Sequence, residues 1–183
     1  MNKKPTKTIA ITGMFIALEI ALLLLTELIP TQVNINLSLI PIAIGAIFYG
    51  PFVGMTLGFA SGVMTIFLRS TLAFFMPISA IGTIFTCITK TTVAGLVAGL
   101  ISKGLKEKPT ILRAVLSSLV IPFINTGIFL ICYITIFDAN HNMDLILETF
   151  IGLNFFVEAV SMIIICPAIS KSVQVAHFSR EAV

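Results

Sequence analysis

Apolar residues run along this chain in long blocks, and the polar positions are of two kinds: clusters that end a block and single residues inside one. The first block covers 8–29 and stops at Pro30, with 31–36 polar enough for a loop. The second, 37–49, ends at the turn Tyr49-Gly50-Pro51; it is short and contains Pro41, so it is expected to kink or to span with a break. The third covers 51–68, where Arg69 and Ser70 mark an interface, and the fourth, 77–101, is closed by the charged stretch 102–109. The fifth block is 110–136 and the sixth 145–170, separated by the polar loop 137–144. One helix needs roughly 20 apolar residues to cross a hydrocarbon core about 30 Å thick. The pattern therefore predicts an all-α integral membrane protein, a single domain over 1–183 with six transmembrane helices and no room for a soluble domain.

Composition agrees, with 57% hydrophobic and 10% charged side chains and a mean hydropathy of +1.10, far above a soluble domain. Charge adds orientation. Lys3, Lys4, Lys7, Lys103, Lys106, Lys108, Arg113, Lys171 and Arg180 fall on one side of a six-span layout, and Arg69 alone falls opposite. The positive-inside rule then makes both termini cytoplasmic in a multi-pass protein of the cell membrane. Asp138, His141 and Asp144, with loops 30–36 and 70–76, fall outside. The basic N-terminus ahead of an apolar run looks like a signal peptide, but the run is long and lacks a small-residue cleavage site, so it is expected to be kept as the first helix.

In lipid, helices associate through close backbone packing at small residues four apart. Gly54, Gly58 and Gly62 form one such stripe, and Ala94, Gly95, Ala98 and Gly99 another. Both read as packing inside the bundle. A third stripe, Ala10, Gly13, Ala17 and Ala21 on the first helix, is placed where a peripheral helix offers a smooth face, either to the bundle or to a partner protein.

Ionisable residues within a membrane span normally face a cavity or a partner and suggest a functional site. Lys90 and Glu158 each lie about 13 residues, or roughly 20 Å, from the outer ends of their helices. Asn125 lies at comparable depth on the fifth helix, and Asn154 is one turn before Glu158 on the same face. One reading is an ion pair between Lys90 and Glu158 that pins three helices together. The other is a solute site in which Lys90 meets an anionic group while Asn125, Asn154 and Glu158 bind amides or hydroxyls, as suits a small polar carboxylate. Asn34 and Asn36 are placed to close over such a site, or serve as turn formers. Glu19 carries no assigned role, and Glu27 and Glu148 fall at the outer interface.

Several chemistries are excluded. The stretch 99–104 is followed by Leu105 instead of the Lys-Ser/Thr of a phosphate-binding loop and ends a helix, so no ATP hydrolysis is expected. No nucleophile elbow or zinc-ligand cluster occurs, and Cys87, Cys132 and Cys166 have neither metal-ligand spacing nor the even count of a disulfide framework. No enzyme, cofactor or metal is expected. The 11 basic residues are too scattered for a nucleic-acid surface.

The run from Asn36 through Pro41 and Tyr49-Gly50-Pro51 to Gly54, continuing to Gly58, resembles the substrate-binding S-components of energy-coupling factor (ECF) vitamin transporters. Ala17 and Ala21 resemble that family's Ala-x-x-x-Ala first helix, while the extension of the stripe to Gly13 is a looser match. The resemblance implies a six-helix subunit that captures a micronutrient, docks through its first helix on a transmembrane coupling subunit with two ATPases, and topples in the membrane to release its cargo. Within the family, the segment 90–99, Asn125-Thr126-Gly127 and Glu158 look most like the pantothenate-specific subgroup. Riboflavin, folate or a thiamin precursor is the alternative cargo. Riboflavin would call for a larger flat pocket, and the chain has no Trp and two Tyr. A self-sufficient ion-coupled carrier would be a different class, but no internal repeat supports it, and a membrane scaffold without a ligand is a third.

Overall fold

The computed structural model describes residues 5–28, 36–137 and 153–181, with side chains for 8–28, 36–137 and 155–172. These residues are helical apart from short turns and contain no strand. The helices are α1 (Pro5–Leu28), α2 (Leu39–Tyr49), α3 (Pro51–Ile66), α4 (Ala80–Gly104), α5 (Thr110–Cys132) and α6 (Leu153–Glu181), with π-helical turns at Thr71–Phe75 and Tyr133–Phe137. Four stretches are long and apolar enough to cross a membrane: Thr8–Leu28, Ala80–Gly104, Thr110–Phe137 and Phe155–Ser172. The expected positions of Asn34, Asp138, His141, Asp144 and Glu148 lie outside the described residues.

The other two apolar helices are short. At 1.5 Å per residue, the 11 residues of α2 and the 16 of α3 reach about 16 and 24 Å, less than a bilayer core. Burial makes up for length in α2, where every residue from Leu39 to Ile47 except Ile40 is buried, so this helix meets protein on almost all sides. Pro41 does not break it. It is the third residue of the helix, where a backbone N–H would have no intrahelical acceptor, so the ring removes nothing. The break comes at Gly50 instead, whose φ of 94° is open to glycine and strained for other residues. Pro51 then starts α3 at N1.

Backbones come closest where α3 meets α4. A Cβ on Gly54 would run into the Gly95 carbonyl, one on Gly58 into the Thr91 carbonyl, and one on Gly62 would sit 2.6 Å from the Cys87 carbonyl oxygen. The glycine stripe of α3 thus interlocks with α4 at three successive turns, against Gly95 of the second stripe and against Thr91 and Cys87 before it. Around this seam, Leu39, Ile42, Ala43, Ala46, Val53, Leu57, Ala94, Ala98, Ile121, Met162 and Cys166 form one core drawn from α2 to α6.

Antiparallel order follows from individual contacts. Ser102 near the end of α4 donates to the Ile47 carbonyl near the end of α2, Phe15 meets Tyr49 edge to face, and Ser118 of α5 donates to the Met162 carbonyl of α6. These bring the basic stretch 103–113 and Lys171 to one end of the bundle. At the other, the Arg69 backbone N–H donates to the Glu27 carboxylate.

The first helix is different. Phe15, Ile16, Glu19 and Leu23 turn inward, whereas Ala10, Gly13, Ala17 and Ala21 are exposed beside Met14, Leu18 and Leu25. A Cβ on Gly13 would meet nothing within 4 Å. Gly58→Ala is expected to cost about 1–3 kcal/mol through overpacking, lowering the melting temperature of the detergent-solubilised protein by several degrees. Gly13→Ala should leave it unchanged or slightly raised, because helix propensity improves with no clash. Equal melting shifts for the two variants would contradict the interlocked seam.

Candidate functional site

Lys90 lies on α4 one residue before Thr91, whose carbonyl packs against Gly58, so the glycine seam fixes the turn that carries it. Its ammonium stands 5.2 Å from the centroid of the Phe129 ring on α5, within range of a cation–π contact. Asn125 is one turn before Phe129 on the same helix, hence on the same face. It is 6% exposed, and its Oδ1 has no hydrogen-bond partner among the described residues. A buried amide oxygen without a donor is costly, and here it is an acceptor available to a ligand.

Glu158 on α6 is also 6% exposed. Its Oε1 accepts from the backbone N–H of Asn36 at 3.2 Å. Asn36 in turn accepts at Oδ1 from the Ser38 hydroxyl at 2.6 Å, and Ser38 contacts the Ser61 hydroxyl of α3 at 2.8 Å. Both serines are fully buried. Lys90 is close enough to act on the Glu158 charge, yet the two form no ion pair. The salt bridge that would pin three helices together is therefore not made, and Lys90 is held by an aromatic face instead.

An aromatic plate flanks this cluster. Phe75 meets Phe129 at 5.6 Å and Phe137 at 5.4 Å, both edge to face, while Tyr133 contacts Phe129 and Phe137. Phe75 and Phe137 end the two π-helical turns, so this contact ties those turns together. Such turns widen the helix locally and occur often beside functional sites.

Of the candidate residues marked by the sequence, Asn36 and Glu158 are joined by a hydrogen bond, Lys90 acts on the Glu158 charge, and Asn125 lies one turn before the ring that Lys90 meets. Asn154 is in the first turn of α6, one turn before Glu158, with its side chain outside the described residues, as is all of Asn34. The sequence pattern does not mark Ser38, Ser61 or Phe129. Ser38 follows Asn36 at the spacing of a side-chain turn, which is a signal of sorts, but Ser61 looks like one more small residue between Gly58 and Gly62. Two surface depressions are lined by none of these side chains. One, of about 320 Å³, is apolar and lined by Ile81, Ile84, Phe85, Ile88 and Thr89. The other is at the basic end, among Glu107, Lys108, Thr110 and Lys171. The first lacks charge and the second is formed by mostly exposed residues, so the interior cluster remains the candidate site. Among the described residues no group of His, Cys, Asp or Glu is arranged to hold a metal.

A match to the model of the ECF transporter substrate-specific component covers residues 7–173. The chain belongs to this family, and is the substrate-capture subunit of an ECF importer: a transport protein of the membrane and not an enzyme. Membership implies a small-molecule substrate and, in the full complex, a coupling subunit and ATPases. Among curated proteins and solved structures, none matches the chain.

Glu19 stands apart from this site. It is 1% exposed, neither carboxylate oxygen has a partner among the described residues, and α1 packs on α2 and α3, which contain no Lys, Arg or His. An orphaned polar group of this kind costs about 1–3 kcal/mol. Glu19→Met, similar in length and apolar, should raise the melting temperature of the isolated subunit by several degrees. A clear drop would mean that Glu19 has a stabilising partner.

Proposed function

We propose that this subunit captures pantothenate between α4, α5, α6 and the segment ahead of α2. The observation that carries the reading is the set of groups left for a ligand: one ammonium, Lys90, resting on an aromatic ring, with Asn125 Oδ1, unpartnered among the described residues, and the Glu158 carboxylate, on which the Lys90 charge acts. A ligand matching them carries one anionic group and at least two hydrogen-bond donors. Pantothenate has a carboxylate for Lys90, and two hydroxyls and an amide N–H for the two acceptors. Asn154 one turn below Glu158, and Asn34 and Asn36 ahead of α2, would complete the polar lining. The aromatic rings favour an open-chain cargo over a flat one. They pack on one another, and one face of Phe129 is taken by Lys90.

We place all six apolar helices across the membrane with both termini cytoplasmic, the basic end inward. Support comes from the gathering of 103–113 and Lys171 at one end and the burial of α2, the shortest α-helix, by the others. On the same reading, the exposed stripe of Ala10, Gly13, Ala17 and Ala21 is the face that meets the coupling subunit, and ATP is hydrolysed by that subunit's two ATPase partners.

Isothermal titration of the purified subunit against pantothenate, riboflavin, folate and thiamin tests the cargo. Pantothenate alone should bind tightly, and Lys90→Ala should weaken it at least tenfold, as expected for loss of a charge-assisted hydrogen bond worth about 1.5–3 kcal/mol. Binding of another vitamin, or of none, would remove the proposal. Gly13→Leu should leave pantothenate affinity within about twofold while cutting uptake by the full transporter at least tenfold; unimpaired uptake would move the docking face elsewhere.

A further inference from the structure

The contact between Ser38 and Ser61 has a direction. Ser38 has a single hydroxyl hydrogen, and it is donated to Asn36 Oδ1, which can only accept. At the Ser38–Ser61 contact Ser38 therefore accepts, and Ser61 donates. Three donations then run one way in space: from Ser61 on α3 to Ser38, from Ser38 to the Asn36 side chain, and from the Asn36 backbone N–H to Glu158 Oε1. The chain crosses from the α3 interior to α6 without a water-exposed serine, both hydroxyl groups being fully buried.

We infer that Ser61 and Ser38 are positioning residues for substrate capture, a donor chain that holds the Asn36 N–H on one oxygen of Glu158 and so orients the other towards the ligand. This rests on the Glu158 cluster being the substrate site. The physical argument is one of degrees of freedom. A glutamate side chain on a helix has several rotamers, and a single backbone donor restrains it only if that donor is itself fixed. Asn36 precedes α2 and is not helical; its side chain is tied down by Ser38. Ser38 is in turn anchored to α3, the helix locked to α4 by the glycine seam. Glu158 is thereby registered against the same scaffold that carries Lys90, so the anion-binding and donor-binding ends of the site are held at a fixed separation. The two hydroxyl links polarise one another, whereas the last step is positional: fixing the Asn36 side chain fixes the residue whose backbone N–H reaches Glu158.

Ser61→Ala, Ser38→Ala and the double variant test this, since alanine is small enough for either site. Pantothenate affinity of the purified subunit, read by isothermal titration, should fall about three- to tenfold in Ser61→Ala and about tenfold or more in Ser38→Ala. Because Ser61 acts through Ser38, adding Ser61→Ala to Ser38→Ala should change affinity no further; simple packing loss would instead add. A second readout needs no ligand. Hydrogen exchange of the Asn36 amide in the free subunit should accelerate at least tenfold in Ser38→Ala and measurably in Ser61→Ala, with amides in the middle of α4 unchanged. Unaltered exchange at Asn36 in Ser38→Ala, or strictly additive affinity losses, would overturn the inference. If wild-type protein fails to bind pantothenate, the cargo assignment falls, while the exchange measurement still decides the donor chain.

Discussion

Lipid tails provide no hydrophobic drive to bring two apolar helices together, so what holds such helices is close contact between their backbones. In this protein that contact is the seam between α3 and α4, where Gly54, Gly58 and Gly62 lie against Gly95, Thr91 and Cys87 with no room for a Cβ. Much of the site depends on it. Thr91 is the residue next to Lys90, and Ser61 is next to Gly62, so one packing surface sets the rotation of both helices about their axes. Lys90 is turned towards α5 and Ser61 towards the N-terminal end of α2. Loosening the seam would move the cation and the donor chain together, although neither is part of it.

Once the helices are this close, the interior is dry enough that each polar group must be accounted for. Most threonines return their hydroxyls to their own helix: Thr83, Thr86 and Thr91 each donate to the carbonyl four residues back. Such groups are neutralised locally and carry no recognition. A few groups are different. Among the described residues, Asn125 keeps an unused acceptor, Lys90 has an aromatic ring and no carboxylate, and Glu158 has a backbone donor from a distant segment. Polar capacity left over in a largely satisfied interior is where a hydrophilic solute gains enough to leave water. Glu19, Ser117 and Ser170 have leftover capacity among the described residues as well, but none is linked to the cluster by a contact, so they read as local costs.

Much of this organisation is legible in the order of the amino acids. The apolar blocks announce helices, and the stripes 54/58/62 and 95/99 announce their contact, because glycine every fourth residue has few other uses in a span. Lys90, Asn125 and Glu158 stand out because ionisable and amide groups within apolar runs are expensive. What is not legible depends on three-dimensional partners. The partner of Lys90 is Phe129, and a phenylalanine in an apolar helix carries no mark of that role. Ser61 is hidden by its own size, since a serine between two glycines looks like packing. A kink or break at Pro41 is the natural expectation, yet the effect of a proline depends on how far the helix extends before it, and two residues are too few for a break. The burial of Glu19 needs the rotation of α1, which small residues on one face and leucines on several do not settle.

The two kinds of small-residue surface suggest why capture and energy supply can be divided between proteins. A seam that is fully interlocked, as between α3 and α4, cannot slide or part without exposing backbone carbonyls to lipid, so it suits a rigid container. The stripe on α1 has the same composition but is exposed among the described residues, and Gly13 has open space where a side chain would be. In lipid such a face is stable enough alone, because hydrocarbon covers it at little cost, and it still offers a close backbone approach to another helix. A container built this way can be complete as a folded unit and remain free to associate. Family membership implies a coupling subunit and ATPases in the full complex, and on the reading proposed above the exposed stripe is the face that meets them. The proposed substrate site and the exposed stripe are on different helices, joined through α1's packing on α2 and α3. On that proposal, influence of cargo on docking would have its most direct route through those two helices, and α2 and α3 are the elements that the Ser38–Ser61 contact connects.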